Sequence, residues 1–524
     1  MKKIFVLAFT LFYIVSSSVG QKNLTMLGSM QFQGQTLASC WHYNHASGSE
    51  YALVGAAGGI AIVDITTPAN PVLLFQLPGV NNLWHEVKVQ GDYAYAVSEG
   101  IDPAGIKNGV QIIDLRYLPD SAPNKFYFGD GAILNMIEKA HSITTAGHYA
   151  YVNGHNITSL GRGVLILDIT NPMSPVYIGA VTNRYCHDSY VRGNLIYTSD
   201  ILDGLFSVYD ISNPALPVIL ATQVTPGTFN HSTWLSDDGR TVFAADERNG
   251  APVASFDVSD LNNISLLDTF YNGNFKLNEV HNVRVINDYL INPSYGSQLT
   301  IADVSRPDNI IEIANYTTGS SLCWDADPFP NSKNIIATDM QSGMLYIFSP
   351  QYIRACYLEG LITDSVTGLP IIGATIDFTT ASIMKTSDLL GIYKTGYADS
   401  GTYTITYSKT GYVSKSISVL LQNGILTTKN IQLVPVGSGI ISPESMEIKV
   451  SPSPANSYVQ VQSSNYAISS WQIIDLRGRI VKENSSEFIL ENKFTIDVDD
   501  LSAGAYYINL KSSGQYVLKN FIKQ

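Results

Sequence analysis

Residues 165–170 have the sequence LILDIT, an apolar run that ends in an aspartate and leads into a turn. Five further segments repeat this pattern of apolar residues followed by Asp and Ile, Leu or Val. They are 61–66 (AIVDIT), 111–116 (QIIDLR), 206–212 (FSVYDIS), 253–259 (VASFDVS) and 299–305 (LTIADVS). Short β-branched runs bounded by turn residues predict β-strands. The chain therefore contains a repeated strand that always ends in the same way.

The repeated aspartates lie 42 to 54 residues apart, and each interval has room for four short strands. In one unit these strands begin at His85, Tyr93, Val110 and Lys125. A period of this length with several strands per unit is typical of a β-propeller. Residues 345–350 form a degenerate seventh copy, and residues 24–29 provide a spare fourth strand. The sequence predicts an all-β fold, with a seven-bladed β-propeller over 21–355 that is closed by an N-terminal strand.

We interpret the repeated aspartate as structural. A carboxylate directly after a strand is well placed to accept hydrogen bonds from backbone N–H groups in the following turn. The predicted position at an outer turn also argues against a ligand role.

The N-terminus has the features of an export signal. Lys2 and Lys3 precede an apolar run from Ile4 to Val15, and small residues follow before Gln21. This pattern predicts a signal peptide over 1–20. No later segment has the roughly 18 apolar residues that a membrane helix needs, so we expect no transmembrane anchor.

The charge is concentrated in the repeats. Residues 21–356 contain 16 Lys and Arg against 30 Asp and Glu. This excess of acid argues against nucleic acid as a partner and is compatible with cationic ligands. The four cysteines, Cys40, Cys186, Cys323 and Cys356, allow three disulfide pairings that the sequence leaves open. Cys40, Cys186 and Cys323 are aligned at one repeat position, and the absence of a tight cysteine cluster argues against a cysteine-built zinc site.

Histidine provides the main functional signal. Five of the nine histidines begin the first strand of successive units, and His42 lies near the same position in the first unit. The five are His85, His141, His187, His231 and His281. Because the first strand of each blade lines the central channel, these side chains should surround one mouth of that channel.

Carboxylates are predicted beside the histidines. The second strand is antiparallel to the first, so its end lies next to the beginning of the first strand. Acidic residues at these ends, or after Trp324 in the seventh unit, are Glu99, Asp200, Asp246, Asp325 and Asp339. Together with the histidines they form the predicted ligand-binding mouth. A divalent metal is one possible cofactor, with His187, Asp200, His231 and Asp246 as its candidate ligands.

Three interpretations of this mouth stay open. It binds a small polar or cationic ligand, a glycan or a protein; it is the site of a metal-dependent or His/Asp acid–base enzyme; or its histidines only fix the geometry between blades. No catalytic residue can be assigned, because the sequence lacks HExxH, a GxSxG context and a phosphate loop. A non-enzymatic binding role is preferred.

The repeats resemble a known family. Val63-Asp64-Ile65 and the equivalent segments are similar to the LVIVD repeat of exported bacterial and archaeal propellers, and 21–350 resembles the region called choice-of-anchor B. The resemblance implies a propeller outside the cytoplasm. It implies no particular activity.

Two further β-sandwich modules are predicted after the propeller. Residues 356–435 contain hairpin turns such as Thr367-Gly368-Leu369-Pro370 and resemble the carboxypeptidase regulatory-like domain, which implies a non-catalytic spacer. A short linker covers 436–445. Residues 446–524 resemble the C-terminal sorting domain of the type IX secretion system of Bacteroidota, most clearly in 501–510 and in the basic, apolar end of the chain. This implies export by that machinery, followed by release or attachment to the cell surface.

Overall fold

The structure is a computed structural model of the full chain. It describes residues 21–524 with the exception of 102–103, 273–278, 297, 319–321, 382, 437–447, 464–467, 485–491 and 513–514. The predicted signal peptide lies outside the described residues, as does the predicted linker apart from Val436. Within the described part, the regular elements are strands and three single 3-10 turns, Gly131–Ile133, Thr158–Leu160 and Thr379–Ala381. No described helix has the length and hydropathy to cross a membrane.

The chain packs as two units. The first contains the residues up to 357 together with 395–401 and 421–426, and the second contains 358–394, 402–420 and 427–524.

In the first unit, the described residues form seven antiparallel sheets. In chain order their strands are β1 (Leu24–Gln31), β2 (Leu37–Asn44), β3 (Glu50–Ala56), β4 (Gly59–Asp64), β5 (Val72–Pro78), β6 (His85–Gln90), β7 (Tyr93–Ser98), β8 (Val110–Asp114), β9 (Asn124–Tyr127), β10 (Ser142–Ala146), β11 (Tyr149–Asn153), β12 (Val164–Asp168), β13 (Val176–Val181), β14 (Asp188–Arg192), β15 (Leu195–Asp200), β16 (Leu205–Asp210), β17 (Val218–Val224), β18 (Asn230–Leu235), β19 (Thr241–Asp246), β20 (Val253–Asp257), β21 (Ser265–Phe270), β22 (Glu279–Val280), β23 (Arg284–Ile286), β24 (Tyr289–Tyr295), β25 (Gln298–Asp303), β26 (Ile311–Thr317), β27 (Cys323–Pro328), β28 (Ile335–Asp339) and β29 (Met344–Pro350).

The sheets follow one another around a ring. β2–β5, β6–β9, β10–β13, β14–β17 and β18–β21 are the first five sheets, β22–β26 form the sixth, and β27–β29 with β1 form the seventh. The first strand of each sheet contacts a strand of the next: β2 contacts β6, β6 contacts β10, β10 contacts β14, β14 contacts β18 and β18 contacts β23. β24 contacts β27, and β27 contacts β2. The ring therefore closes, and the first strands surround its axis, as expected for a β-propeller.

Closure depends on the N-terminal strand, as the sequence predicted. β1 is antiparallel to β29, with Leu24 opposite Pro350 and Gln31 opposite Met344. Leu24 is buried in an apolar cluster that also contains Phe348 and Ile313. The last sheet thus combines both ends of the propeller sequence, which leaves no exposed edge on β29.

The apolar strands account for the core between sheets. β3 and β4 are almost entirely buried, because neighbouring sheets cover both of their faces. Tyr51, Leu53 and Ile62 of the first sheet pack with Val87 and Ile113 of the second. This burial on both faces explains why the central strands are continuous apolar runs and do not alternate strictly.

The repeated aspartates are structural, which confirms the interpretation made from the sequence. In all six copies an Oδ1 atom accepts the backbone N–H of the residue two positions later. The N···O distances are 2.9 Å for Asp64–Thr66, 3.2 Å for Asp114–Arg116, 2.7 Å for Asp168–Thr170, 2.7 Å for Asp210–Ser212, 2.9 Å for Asp257–Ser259 and 3.0 Å for Asp303–Ser305. The motif recurs because each blade needs the same turn after its third strand.

We expect these turns to make folding stability depend on acidity. The Thr170 hydroxyl and N–H lower the pKa of Asp168, and the Ser259 hydroxyl and N–H lower the pKa of Asp257. A folded pKa below the unfolded value of about 3.9 adds stability above that pH, and this stability is lost as the pH falls through the folded pKa. The double variant Asp168→Asn, Asp257→Asn should therefore show a shallower fall of the urea midpoint between pH 5 and pH 2.

Asparagine keeps the acceptor oxygen and removes only the charge. The variant therefore separates the contribution of the carboxylate charge from that of the hydrogen bond. The exposed Asp120 supplies the control, since Asp120→Asn should leave the acid slope unchanged. An acid slope in the double variant equal to that of the wild type would contradict the prediction.

The C-terminal strands form two further pairs of sheets. The strands are β30 (Cys356–Asp364), β31 (Thr375–Phe378), β32 (Ile383–Thr386), β33 (Ile392–Tyr397), β34 (Gly401–Ser408), β35 (Tyr412–Val413), β36 (Lys415–Leu421), β37 (Leu426–Thr428), β38 (Ile431–Pro435), β39 (Ile448–Ser451), β40 (Tyr458–Ser463), β41 (Ile468–Asp475), β42 (Ile480–Asn484), β43 (Lys493–Asp497), β44 (Gly504–Ser512) and β45 (Gln515–Lys523). β30, β33, β35, β37 and β38 form one sheet and β31, β32, β34 and β36 another; β39, β40 and β43 form the third, and β41, β42, β44 and β45 the fourth. Val461, Ile473 and Leu510 are among the residues that fill the core of the last pair.

Candidate functional site

A cavity of about 260 Å³ lies on the propeller axis. Residues from the first strand of every sheet line it, which places it at the centre of the ring. The five histidines predicted from the repeat are all among its lining residues, together with Trp41, Trp84, Trp234 and Trp324. The cavity is therefore the place where residues far apart in sequence meet.

Four of the histidines form a continuous arc around the cavity. The ring centroids of His141 and His187 are 3.8 Å apart, those of His187 and His231 are 4.2 Å apart, and those of His231 and His281 are 4.0 Å apart. Neighbouring rings are tilted by 42 to 51°. These contacts arise because consecutive sheets present the same strand position to the axis.

Hydrogen bonds to the backbone of the next sheet fix the direction of two of these rings, His187 and His281. The Nδ1 atom of His187 lies 3.1 Å from the carbonyl oxygen of His231, and the Nδ1 atom of His281 lies 2.7 Å from that of Trp324. A carbonyl oxygen can only accept, so in both rings Nδ1 carries the proton and Nε2 keeps its lone pair. His85 is turned differently, since its Nε2 atom lies 3.0 Å from the carbonyl oxygen of Val80.

Burial keeps the histidines neutral. It lowers the pKa of His187 and His231 well below the usual value, and the charges of neighbouring histidines lower both further. The pKa of His281 falls to about 3 and that of His85 to about 4, in both cases mainly through burial. At neutral pH His187, His231 and His281 are therefore uncharged imidazoles, and those with a free Nε2 can bind a metal ion or accept a proton.

Two glutamates lie beside the arc. Oε1 of Glu99 is 2.8 Å from Nδ1 of His141, and this hydrogen bond lowers the pKa of Glu99. Oε2 of Glu247 is 3.8 Å from Nε2 of His231, and Oε1 is 3.7 Å from Nε2 of His281. Burial, with a further contribution from Glu279, raises the pKa of Glu247 to about 7. Of these two residues, only Glu247 faces two histidines.

A buried ion cluster forms the opposite part of the wall. The guanidinium of Arg284 donates to both carboxylate oxygens of Asp325, at 2.9 Å each, and to Asp327. Asp327 also accepts the backbone N–H of His42 at 2.7 Å and lies 2.6 Å from the Nδ1 atom of that ring. The guanidinium lies 4.3 Å from the centre of the Trp41 ring. Arg284 thereby joins the first, sixth and seventh sheets.

A second ion pair completes this wall. Lys88 pairs with Glu86, and its ammonium group lies 4.7 Å from the centre of the Trp41 ring. Asp188 lines the cavity nearby and accepts hydrogen bonds from its neighbour Ser189 at 2.8 Å and from Ser232 at 3.3 Å. Among the described residues, no lysine, arginine or histidine forms an ion pair with Asp188. The lining thus holds two carboxylates, Glu86 and Asp188, and two cations, Lys88 and Arg284; only when Asp325 and Asp327 behind Arg284 are included do the carboxylates outnumber the cations.

Several residues predicted for the mouth have other contacts. Asp200 accepts from the Ser207 hydroxyl, and burial raises its pKa to about 7. Asp246 accepts the backbone N–H of Gly227 at 2.7 Å and of Phe229 at 2.9 Å. Asp339 accepts the N–H of Ser342 at 3.0 Å. The reason is local: each carboxylate stands at the end of a second strand, where nearby hydroxyls and loop N–H groups compete for it.

The four candidate metal ligands are therefore not brought together. Asp200 and Asp246 are held in the contacts just described. Within the described ranges, the one group of histidine, cysteine and acidic side chains close enough to hold an ion is His231, Glu247 and His281. Only His231 belongs to both sets.

Two sequence alignments also need correction. Ser39 donates to the carbonyl oxygen of His85, as Ser142 does to that of His187, so Ala38 occupies the histidine position in the first sheet. His42 lies four residues further along β2. By the same alignment Cys40 does not share the position of Cys186 and Cys323. All four thiols are buried and none forms a disulfide.

Three residues of the site were not among the predicted ligands. Glu247 directly follows Asp246 at the end of the same strand, and the choice between these neighbours was open. Arg284 is an arginine within an inner strand, a rare position for a charged side chain, and it was overlooked. Trp324 was noted only for its position; its carbonyl oxygen orients His281.

Comparison with protein families agrees with the architecture. Residues 46–77, 138–183 and 184–225 match the LVIVD repeat, and residues 449–524 match the secretion system C-terminal sorting domain. No curated protein matches the chain. The sorting domain is that of type IX secretion, so the protein interacts with this machinery and is exported to the cell surface or secreted. The signal peptide, the choice-of-anchor B assignment and the carboxypeptidase regulatory-like module stay predictions.

Proposed function

Because the chain is an exported LVIVD-repeat protein with a type IX sorting domain, we propose that its propeller is a binding module for a small cationic ligand. The ligand occupies the axial cavity between the histidine arc and the ion cluster. The observation that carries this proposal is the Asp188 carboxylate, which lines a partly aromatic cavity and forms no ion pair among the described residues.

The charges of the wall favour a cation. Arg284 lies between two carboxylates, and Lys88 is paired with Glu86. Asp188 then adds a half-buried carboxylate that forms no ion pair among the described residues, although Lys88 and Arg284 are near enough to lower its pKa. Burial raises the pKa of Asp188 by more than the neighbouring Lys88 and Arg284 lower it, so the charged form of this side chain is costly. A ligand ammonium group would offset this cost.

The aromatic side chains suit the same ligand. Trp234 packs against Tyr190 at a centroid distance of 4.6 Å, and both line the cavity. Trp84 lines it as well and is 38% exposed, so its ring is accessible. Indole faces attract cations, most strongly where water is excluded. A volume of about 260 Å³ admits a small molecule and excludes a folded protein.

We expect choline to bind more tightly than its uncharged carbon isostere, dimethylbutanol, by at least about tenfold. Isothermal titration of the purified, metal-free full chain measures both affinities. The variant Asp188→Asn should lower the affinity for choline by about tenfold and leave that for dimethylbutanol unchanged.

Asp203 supplies the matched control, because its carboxylate is exposed and faces Arg184 at 3.3 Å. Asp203→Asn should bind choline as the wild type does. Equal binding of the charged and uncharged ligands, or wild-type affinity in Asp188→Asn, would refute the cationic ligand. Chemical conversion of bound choline, followed by NMR, would identify an enzyme instead of a binding module.

A further inference from the structure

We propose that His231, His281 and Glu247 form a binding site for one divalent transition-metal ion, with zinc as the expected ion. The site lies at the edge of the axial cavity and goes beyond the proposed binding of a cationic ligand. It uses none of the carboxylates on which that proposal rests.

The distances between the three side chains fit a metal site. Their ligand atoms all lie within 4.8 Å of one another. The Glu247 oxygens lie 3.7 and 3.8 Å from the two Nε2 atoms. Two ligands bound to zinc at tetrahedral angles are separated by about 3.4 Å. The two distances from Glu247 to the imidazole nitrogens are within a few tenths of an ångström of this value.

These distances are too long for hydrogen bonds. The carboxylate of Glu247 thus faces two imidazole nitrogens without bonding to either of them. A metal ion between the three groups would satisfy all of these atoms at once. The side chain of Glu247 is 22% exposed, which leaves a route for the ion to enter.

The orientation of His281 supports the same conclusion. Its Nδ1–H donates to the carbonyl oxygen of Trp324 at 2.7 Å, so the lone pair of Nε2 points towards Glu247. A backbone carbonyl bonded to the distal nitrogen is the usual support for a metal-binding histidine. The ring of His231 lies 4.0 Å from that of His281 and presents its Nε2 to the same carboxylate. The His281 ring also packs against Tyr295 at a centroid distance of 4.6 Å.

The chemistry of the three ligands favours zinc over harder ions. Two imidazoles and one carboxylate are nitrogen and oxygen donors of the kind that zinc accepts, whereas calcium and magnesium prefer oxygen alone. Three protein ligands leave the fourth position of a tetrahedral ion open. His231 and His281 both line the cavity, so this open position faces the space in which the ligand would lie.

The test is zinc binding by the full chain after treatment with EDTA and dialysis. Titration against a fluorescent chelator should give one zinc ion per chain, and mass-spectrometric metal analysis should give the same ratio. Glu247→Gln should weaken zinc binding at least tenfold, and His231→Ala should abolish it. Cobalt substitution provides an independent readout, because a tetrahedral site gives intense visible absorption that Glu247→Gln should reduce.

The controls separate this site from other causes. His148→Ala removes an exposed histidine outside the cavity and should leave zinc binding unchanged. If His231→Ala fails to fold, Glu247→Gln still decides the matter, since its side chain is partly exposed. Asp188→Asn should retain full zinc affinity, so loss of choline binding and loss of metal binding are distinguishable. Failure of the wild type to bind one zinc ion at micromolar concentration, or wild-type affinity in Glu247→Gln, would overturn the proposal.

Discussion

Replacing Arg284 by methionine is expected to destabilise the propeller by about 3–5 kcal/mol. The guanidinium of Arg284 is buried. It donates hydrogen bonds to both carboxylate oxygens of Asp325 and to one carboxylate oxygen of Asp327. Methionine fills similar space and removes the charge, so two buried carboxylates lose their main cation. The cost comes from those carboxylates more than from the lost bonds themselves, because an uncompensated buried charge is expensive.

The effect should be larger than for an ordinary core substitution, because Arg284 connects three sheets. Asp325 also accepts the backbone N–H of Cys40 at 3.0 Å, and Asp327 accepts that of His42 at 2.7 Å. Both bonds cross the contact between the first and last sheets, where the ring closes. Movement of the carboxylates away from the variant side chain would weaken that closure.

The dependence on pH distinguishes a charge effect from a packing effect. Burial tends to raise the pKa of Asp327, but Arg284 and His42 outweigh it and the pKa is lowered. In the wild type, this carboxylate adds stability above its unfolded pKa of about 3.9 and loses it as the pH falls. Without Arg284 the pKa of Asp327 rises. The difference in the free energy of unfolding between the variant and the wild type should therefore become smaller below pH 4.

Thermal and urea unfolding at pH 7 and pH 3.5 measure this gap. Arg284→Lys keeps one charge without the planar fork and should be intermediate. Arg240→Met, at an exposed arginine, is the matched control and should change stability by less than about 0.5 kcal/mol. If Arg284→Met loses the same amount of stability at pH 7 and at pH 3.5, the charge explanation is contradicted.

The repeat explains why so much of the fold followed from the sequence. An error in one strand is corrected by its copies, and six aspartates that each accept an N–H two residues later mark the third strands unambiguously. The spare strand at residues 24–29 could be assigned to the last sheet by counting. A closed ring needs a fourth strand in every sheet. The extra strand at the N-terminus therefore indicated that the last sheet lacked one.

The site was less predictable for a local reason. Strand pairing is irregular at the start of β2, β18 and β27, where one residue is skipped between paired positions. Such a bulge shifts the alternation of side chains. His42 was aligned with the histidines because it follows Cys40 and Trp41, as Asp325 follows Cys323 and Trp324, although Ala38 holds that position. The alternation of apolar and polar residues along one strand does not show where a bulge lies. The pairing with the neighbouring strand is needed to locate it.

The choice between adjacent acids had a similar cause. Asp246 and Glu247 stand together at the end of β19, and the sequence gives no reason to prefer one. In the structure, Asp246 accepts the N–H groups of Gly227 and Phe229 in the preceding loop, whereas the longer Glu247 reaches His231 and His281. The deciding factor is a loop contact made about twenty residues away.

Deletion of residues 22–31 should have the largest effect of all, since it removes β1 and opens the ring. β29 would then expose an unpaired edge beside the buried side chains of Leu345, Ile347 and Phe348. Exposed apolar edges recruit other strands, so we expect loss of the cooperative unfolding transition and self-association. Size-exclusion chromatography with light scattering and thermal unfolding measure both effects.

A peptide with the sequence of residues 22–31, added in trans, should restore a monomer by pairing with β29, because strand addition supplies the same backbone hydrogen bonds. A scrambled peptide of equal composition should not do so. The pair Leu24→Asp and Thr25→Asp tests the same contact within the intact chain. Leu24 is 1% exposed, so its replacement should cost about 4 kcal/mol or more, whereas the exposed neighbour should tolerate the change. A deletion variant that stays monomeric with the unfolding temperature of the wild type would show that the other six sheets hold the ring without it, and the closing role of β1 would have to be abandoned.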